Sequence, residues 1–317
     1  VSGTRVLVIG GAGFIGSHLS DVCSDKGCEV FVYDNFSTGK RSFLGKIPPE
    51  NIFEGDILDP AALADATGKA DPEIVFHMAA VHHIPTCEKK PRQALRVNVE
   101  GTAGVLEAVS ESHARRVVFA STGALYDPSN TGVLREDSPL KAFDIYSISK
   151  MSCEHLLQYH SEKTGRETVA ARLFNTVGRR ETNSHLIPAV VDQLIEGKRA
   201  IRLGNVTPRR DYIHVEDVAE ALFSLGTAKT RNGFDVFNVG TGIEHSVLEL
   251  VNLFSEVIGD KVEVVSVPEL QRKVDRPTQK ADNSKLRTAS GWNPSRNLRQ
   301  ALDEVWKESL GKAGRSA

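Results

Sequence analysis

The stretch YSISK runs from Tyr146 to Lys150 and sets a phenol and an ammonium four residues apart. On a helix that spacing puts both side chains on one face. Such a pair can be ordinary surface decoration, or it can move a proton. A free phenol has a pKa of about 10 and is a poor base at neutral pH. A nearby ammonium, or the positive ring of an oxidised nicotinamide, favours the phenolate. Thr122 ends the run RRVVFAST and supplies a hydroxyl that can hydrogen-bond the same substrate oxygen. If that run is a strand of an open α/β sheet, Thr122 stands at the carboxyl edge, where ligands bind such sheets.

A second constellation lies near the start. GGAGFIG places Gly10, Gly13 and Gly16 between an apolar run and a helical pattern. Glycines there allow a tight turn and let a pyrophosphate reach the free N–H groups of a helix N-terminus. Gly16 lets helix and strand pack closely. Alone, a Gly-rich helix start is common. Asp34, at the end of the next apolar run in VFVYDNFSTGK, adds a carboxylate that can accept both ribose hydroxyls of an adenosine. It would repel a 2′-phosphate, so NAD is expected over NADP. Asp56 in EGDI is a candidate for the adenine amine, or simply caps a loop.

These residues need a scaffold to hold them. RVLVIG, CEVFVYD, NIFEGDI, EIVFHMAA, RRVVFAST and TVAARLF read as strands, nearly all apolar. Helical patterns alternate with them, including about Ala94–Ser112 and about Asp144–Lys163. That is a parallel sheet covered on both faces, a Rossmann-type α/β fold. Residues 1–178 form the expected cofactor-binding domain carrying the catalytic group. Residues 179–317 form a smaller, mixed substrate-binding region, from which a helix or strand can return to the sheet.

Composition agrees with an enzyme of this kind. The 317 residues are 40% hydrophobic, enough for a large core. With 39 basic and 41 acidic side chains the formal net charge is -2, which does not suggest a nucleic-acid binder. Cys23, Cys28, Cys87 and Cys153 have neither metal-ligand nor CxxC spacing, and a reducing cytoplasmic setting is expected. The opening VSGTRVLVIGG does not read as a secretory signal. No apolar run approaches the ~20 residues of a membrane span.

GGAGFIGSHL, YDNFSTG, FHMAA, YSISK, RRDYIHVEDVA and FNVGTG together resemble the extended short-chain dehydrogenase/reductases, from Val6 to about Trp306. The branch they resemble is the NAD-dependent nucleotide-sugar epimerases and dehydratases. In that family a Ser/Thr, Tyr and Lys are catalytic, matching Thr122, Tyr146 and Lys150. The Tyr removes a proton from a sugar hydroxyl while hydride passes to tightly held NAD, and a keto sugar results. The resemblance implies a cofactor site of Gly10, Gly13, Phe14, Ile15, Gly16, Asp34, Asn35, Ser37, Thr38, Gly39, Asp56, Ile57, Ala79, Ala80 and Asn98, with Tyr146 and Lys150. It implies a UDP-sugar or other nucleotide sugar at His82, Thr122, Asn175, His185, Leu186, Arg210, Arg272 and Asp275. An Arg fork suits phosphate oxygens and a carboxylate suits ribose hydroxyls. A homodimer is expected on family grounds, with Leu95, Val99, Leu106, Leu156 and Leu157 as apolar positions that also suit ordinary packing. No metal is expected, since the carboxylates do not look clustered about His82 and His83.

Departures narrow the reaction. The 4,6-dehydratases follow the catalytic threonine with Asp-Glu, whereas Gly123 and Ala124 follow Thr122. Neither side chain can act as acid or base, which argues against dehydration. The segment NSHLIPAVV resembles GDP-fucose synthase, whose histidine matches His185, but the partnering cysteine aligns with Ala124. A UDP-hexose 4-epimerase is therefore the leading expectation, for glucose/galactose, their N-acetyl forms or uronates. The alternatives are a reductase or 3,5-epimerase/reductase, and a non-catalytic nucleotide-binding or scaffold protein.

Overall fold

The computed structural model describes residues 2–183, 185–228, 233–270 and 276–316, with side chains as far as Lys312. Its centre is a seven-stranded sheet. In chain order the first five strands are β1 (Arg5–Ile9), β2 (Glu29–Asp34), β3 (Ile52–Glu54), β4 (Ile74–His77) and β5 (Arg116–Thr122). Strands Glu167–Leu173 and Phe234–Val239 complete it beyond β5. The order across the sheet is Phe234–Val239, Glu167–Leu173, β5, β4, β1, β2, β3, and every pairing is parallel. The chain builds outward from β1 to β3 and then returns to place β4 on the other side of β1. That reversal opens a crevice at the carboxyl ends of β1 and β4, the place where α/β sheets bind ligands.

The near-continuous apolar strands have a direct cause. Successive side chains point to opposite faces, so a sheet covered twice needs both sets apolar. Val6 and Val8 of β1 enter one core, with Leu19 of the first helix and Val218 and Leu222 of helix Val215–Thr227. Leu7 and Ile9 enter the other, with Leu63, Val105 and Leu157. A separate core, including Val190, Leu250, Phe254 and Leu302, holds the smaller mixed region. Phe234–Val239 is the strand from the later part of the chain that joins the main sheet.

Several local readings differ from the structure. The single helix expected at Ala94–Ser112 is helix Pro91–Leu95, a π-turn at Arg96–Glu100 and helix Gly101–Ser110. Periodicity cannot reveal one inserted residue. The NIFEGDI strand stops at Glu54, because the chain must turn at Gly55 against the Tyr33 ring. Helix Pro60–Ala70, capped by Asp59, was not anticipated; its Ala-rich sequence has a weak apolar stripe. The short strands Val133–Leu134 and Lys280–Ala281 pair with each other across the sequence, which local pattern cannot show. Among the described residues no helix is long and apolar enough to cross a membrane, and all four cysteines are free.

A buried ion pair ties the Tyr146 helix, Ile145–Thr164, to the sheet. Glu154 accepts from Arg172 Nε at 3.0 Å and Nη2 at 2.8 Å, and from Ser121 Oγ at 2.5 Å. Arg172 also lies over the Tyr126 ring and reaches the Glu136 carbonyl. Removing one partner strands the other charge in a dry site, at a cost of about 3–5 kcal/mol. Glu154→Gln should therefore lower unfolding free energy in urea by about that much. The loss should shrink when Arg172→Met is already present; an equal loss in both backgrounds would show that the two side chains are not coupled.

Candidate active site

The sharp turn between β1 and the first helix is fixed by backbone geometry. Gly10 has φ +80°, and a Cβ there would lie 2.5 Å from the Ala79 nitrogen. A Cβ on Gly16 would lie 2.1 Å from the Gly10 carbonyl oxygen. The loops after β1 and β4 therefore touch, and the helix starts directly against the turn. Helix Phe14–Asp25 has Gly13 at its N-cap and no side-chain cap. Its first N–H groups are left for a ligand's anionic oxygens. Phe14 is buried and Ile15 half-buried at this end.

Asp34 closes the turn from the next strand. Its Oδ2 accepts from the Ala12 N–H at 2.9 Å and its Oδ1 from the Phe36 N–H at 2.8 Å. Burial raises its carboxyl and the two N–H donors oppose that rise. Gly39 packs its backbone on Ala12, and the Lys40 N–H donates to the Ala12 carbonyl. Ser37 and Thr38 are exposed. Asn35 donates to Asp56 Oδ2 at 3.0 Å, joining the loops after β2 and β3, and Asp56 Oδ1 also accepts from the Leu58 N–H. Ile57 is buried against Gly101. Ala79 and Ala80 line the half-buried loop after β4.

Asn98 joins two elements of the fold. Its Oδ1 accepts from the Val81 N–H, and its Nδ2 donates to the Val81 carbonyl and to Ser149 Oγ. Both amide hydrogens are spent on protein atoms, so it clamps the loop after β4 to the Tyr146 helix. The π-turn at Arg96–Glu100 presents it there.

Asp144 and Ser147 form a capping box that starts the Tyr146 helix. Tyr146 is half-buried, and its phenol lies beside the Thr122 hydroxyl. Thr122 Oγ1 accepts from the Ala124 N–H at 3.1 Å. Burial pushes the Tyr146 phenol well above its ordinary value, and the Thr122 hydroxyl pulls the other way. Lys150 is 2% exposed. Its Nζ donates to the Ala120 carbonyl at 2.7 Å, sits 4.4 Å from the Phe119 ring centre and lies 5.9 Å from that of Tyr146. Burial lowers this ammonium to about 8. His77 lies near it, lowered to about 3 by burial and by the Lys150 charge.

His82 and His185 stack with ring centres 5.5 Å apart. Asn183 Nδ2 lies 3.2 Å from His82 Nε2. His185 is the N-cap of helix Leu186–Ile195, and Leu186 is half-buried on the smaller region's core. Asn175 is exposed on strand Asn175–Val177. Arg210 Nη1 donates to the carbonyls of Arg209 and Arg276. Arg272 and Asp275 lie outside the described residues.

Two residues escaped the sequence reading. Arg276 donates to the carbonyls of Ala124 and Tyr126, both at 2.6 Å, and so locks the turn after Thr122 to the smaller region. The RKVD spacing drew attention to its neighbours instead. Glu181 converges with His82 and His185, their donor atoms all within 4.8 Å of one another. The expectation of no clustered carboxylate at these histidines is thus corrected. Glu181 arrives from a loop some hundred residues after His82, beyond what spacing can show.

A model of the NAD dependent epimerase/dehydratase family matches residues 6–240. The chain belongs to this family. UDP-glucose 4-epimerase of Lactobacillus helveticus is 30% identical, over 96% of either chain. The crystal structure of UDP-glucose 4-epimerase from Thermus thermophilus in complex with NAD is similar at TM-score 0.87 and 30% identity, covering 97% of this chain and 99% of that one. UDP-glucose-4-epimerase from Stenotrophomonas maltophila, with bound NAD and formylated UDP-arabinopyranose, gives TM-score 0.90 and 27% identity over 99% of this chain and 100% of that one. The protein is an NAD-dependent enzyme of the epimerase type. The close-packed glycines, the uncapped helix and Asp34 fit that cofactor, since a Cβ at Gly10 or Gly16 would overlap the turn that shapes the cradle.

The lowered Lys150 has a signature in stability. Below about pH 8 the ammonium is protonated in both folded and unfolded chains, and its burial is a standing cost. Between about 8 and its ordinary 10.5 only the unfolded chain keeps the proton, so this contribution to stability rises with pH. The full rise amounts to about 3 kcal/mol. In cofactor-free protein, the wild type should gain on Lys150→Met steadily between pH 7.5 and 9.5 in denaturant titrations. A pH-independent difference would show that burial does not depress Lys150.

Proposed function

We propose that the protein is a UDP-hexose 4-epimerase that inverts C4 through a transient 4-keto sugar. The observation that carries this reading is the Thr122–Tyr146–Lys150 group, with no acid or base side chain immediately after Thr122. Tyr146 lies beside Thr122, and Lys150 lies behind its ring. NAD, when bound, would supply hydride acceptance at the sugar carbinol and its return. The protein's part is to hold that carbinol oxygen between the two hydroxyls and to move its proton at the Tyr146 oxygen.

The electrostatics suit a base that works only in the assembled site. Desolvation alone keeps Tyr146 protonated. The Lys150 ammonium favours its phenolate, as would a positive nicotinamide ring. Gly123 and Ala124 provide no group to protonate a leaving hydroxyl, so the keto sugar has no route to lose water there. A Cβ at position 123 would crowd Gln279 and the Phe174 ring, and the Ala124 carbonyl is taken by Arg276. Similarity to UDP-glucose 4-epimerases over nearly the full chain supports the same reading.

His82, His185, Asn175 and Arg210 would bind the nucleotide sugar, with Arg272 and Asp275 as the late Arg-x-x-Asp of the clamp. Residues 1–178 would carry cofactor and catalysis, and most of 179–317 the substrate, with Phe234–Val239 returning to the sheet. A homodimer would use the outward side of the Tyr146 helix. Leu106 and Leu157 are buried in the core, whereas Leu95, Val99 and Leu156 are half-buried. Ile148 and Tyr159 are exposed, three helical turns apart.

The test is conversion of UDP-glucose, UDP-N-acetylglucosamine and UDP-glucuronate by the purified protein without added cofactor, with configuration at C4 followed by NMR. At least one should epimerise with no net change in NAD redox state. Tyr146→Phe should lose about 10²–10⁴-fold in rate, with NAD content and melting temperature retained. Unchanged turnover would remove Tyr146 from the chemistry, and a product lighter by one water would overturn the epimerase reading.

A further inference from the structure

The Glu181 carboxylate is poorly explained by the folded chain alone. Its Oε1 accepts from the N–H groups of Thr182 and Asn183, at 2.9 and 3.0 Å. Among the described residues no lysine or arginine is within salt-bridge distance of it, and it is half-buried. Two imidazoles, His82 and His185, bring their nitrogens to within 4.8 Å of its oxygen. A half-buried carboxylate facing two histidines is a donor set of the metal-binding kind.

We propose that His82, Glu181 and His185 form a three-ligand site for a zinc-class divalent ion. Two imidazoles and one carboxylate match the preference of zinc for nitrogen and oxygen donors at about 2.0–2.2 Å, with a fourth position left for water or a ligand oxygen. The residues around the three donors are those such a site needs. Glu181 is oriented by its two backbone donors, and His82 by the Ala80 backbone, while the ion would take the place of Asn183 Nδ2 at His82 Nε2. Anchoring of this kind fixes ligand direction before a metal arrives. All three residues are half-buried.

Placement gives the site a consequence. His82 lies two residues beyond Ala80, at the same sheet edge as Thr122, and its ring feels the Lys150 charge. The ion would stand on the substrate side of the active centre and offer its fourth position to a sugar or diphosphate oxygen. That consequence rests on the functional reading above; binding of the ion does not.

The probe is Co²⁺ added to the NAD-loaded protein, followed by its visible d–d absorption, with Zn²⁺ then added in competition. One ion per chain is expected, displaced stoichiometrically by Zn²⁺. His82→Gln, Glu181→Gln and His185→Asn should each weaken binding about 10- to 100-fold, with melting temperature and NAD content near wild type. Glu181→Gln keeps a carbonyl oxygen for the two N–H donors, so its effect reports on the ligand charge. No visible band, a strong thiolate charge-transfer band, or wild-type affinity in all three variants would each overturn the site.

Discussion

The protein keeps an ammonium in its interior, and much of the active centre is arranged around that fact. Lys150 has exchanged water for one carbonyl and an aromatic face. Such burial is unfavourable for the charged form. The cost is borne because a charge out of water acts strongly on its neighbours. Tyr146 is the neighbour that matters, since the same desolvation makes its phenol a still weaker acid. Two groups with opposed preferences are thus fixed on one helix face.

That balance requires a rigid frame. The Glu154–Arg172 pair holds the Tyr146 helix to the sheet one turn beyond Lys150. Asn98 holds the same helix to the loop after β4, and the π-turn exists where Asn98 must point inward. Arg276 reaches from the smaller region to the turn after Thr122. Three separate parts of the chain thus fix the positions of Thr122, Tyr146 and Lys150. On the cofactor side, the order of strands does similar work. The return of the chain to β4 brings the Ala79 backbone against Gly10, so the cradle is shaped by two loops rather than one.

Much of this was legible without coordinates. Apolar runs alternating with helical patterns gave a parallel sheet because burial on both faces leaves no place for polar residues. The glycines at 10 and 16 were readable because close backbone approach leaves no other choice of residue. Tyr146 and Lys150 were readable as a face, since helical spacing is local. What was hidden was shorter or more distant. The strands Val133–Leu134 and Lys280–Ala281 exist only because they find each other. The hydrogen bonds of Asn98 depend on a loop and a helix that meet only in the folded chain.

By itself, then, the sequence determined the sheet, the glycine turn and the shared helix face of Tyr146 and Lys150, because periodicity and steric exclusion act over a few residues. Tertiary structure alone decided which groups surround them. It buried Lys150, spent Asn98 inside the protein, and enlisted Arg276. It also carried Glu181 to two histidines, one of them some hundred residues earlier in the chain. Electrostatic environment is a property of neighbours in space, and no spacing rule along a chain supplies those neighbours.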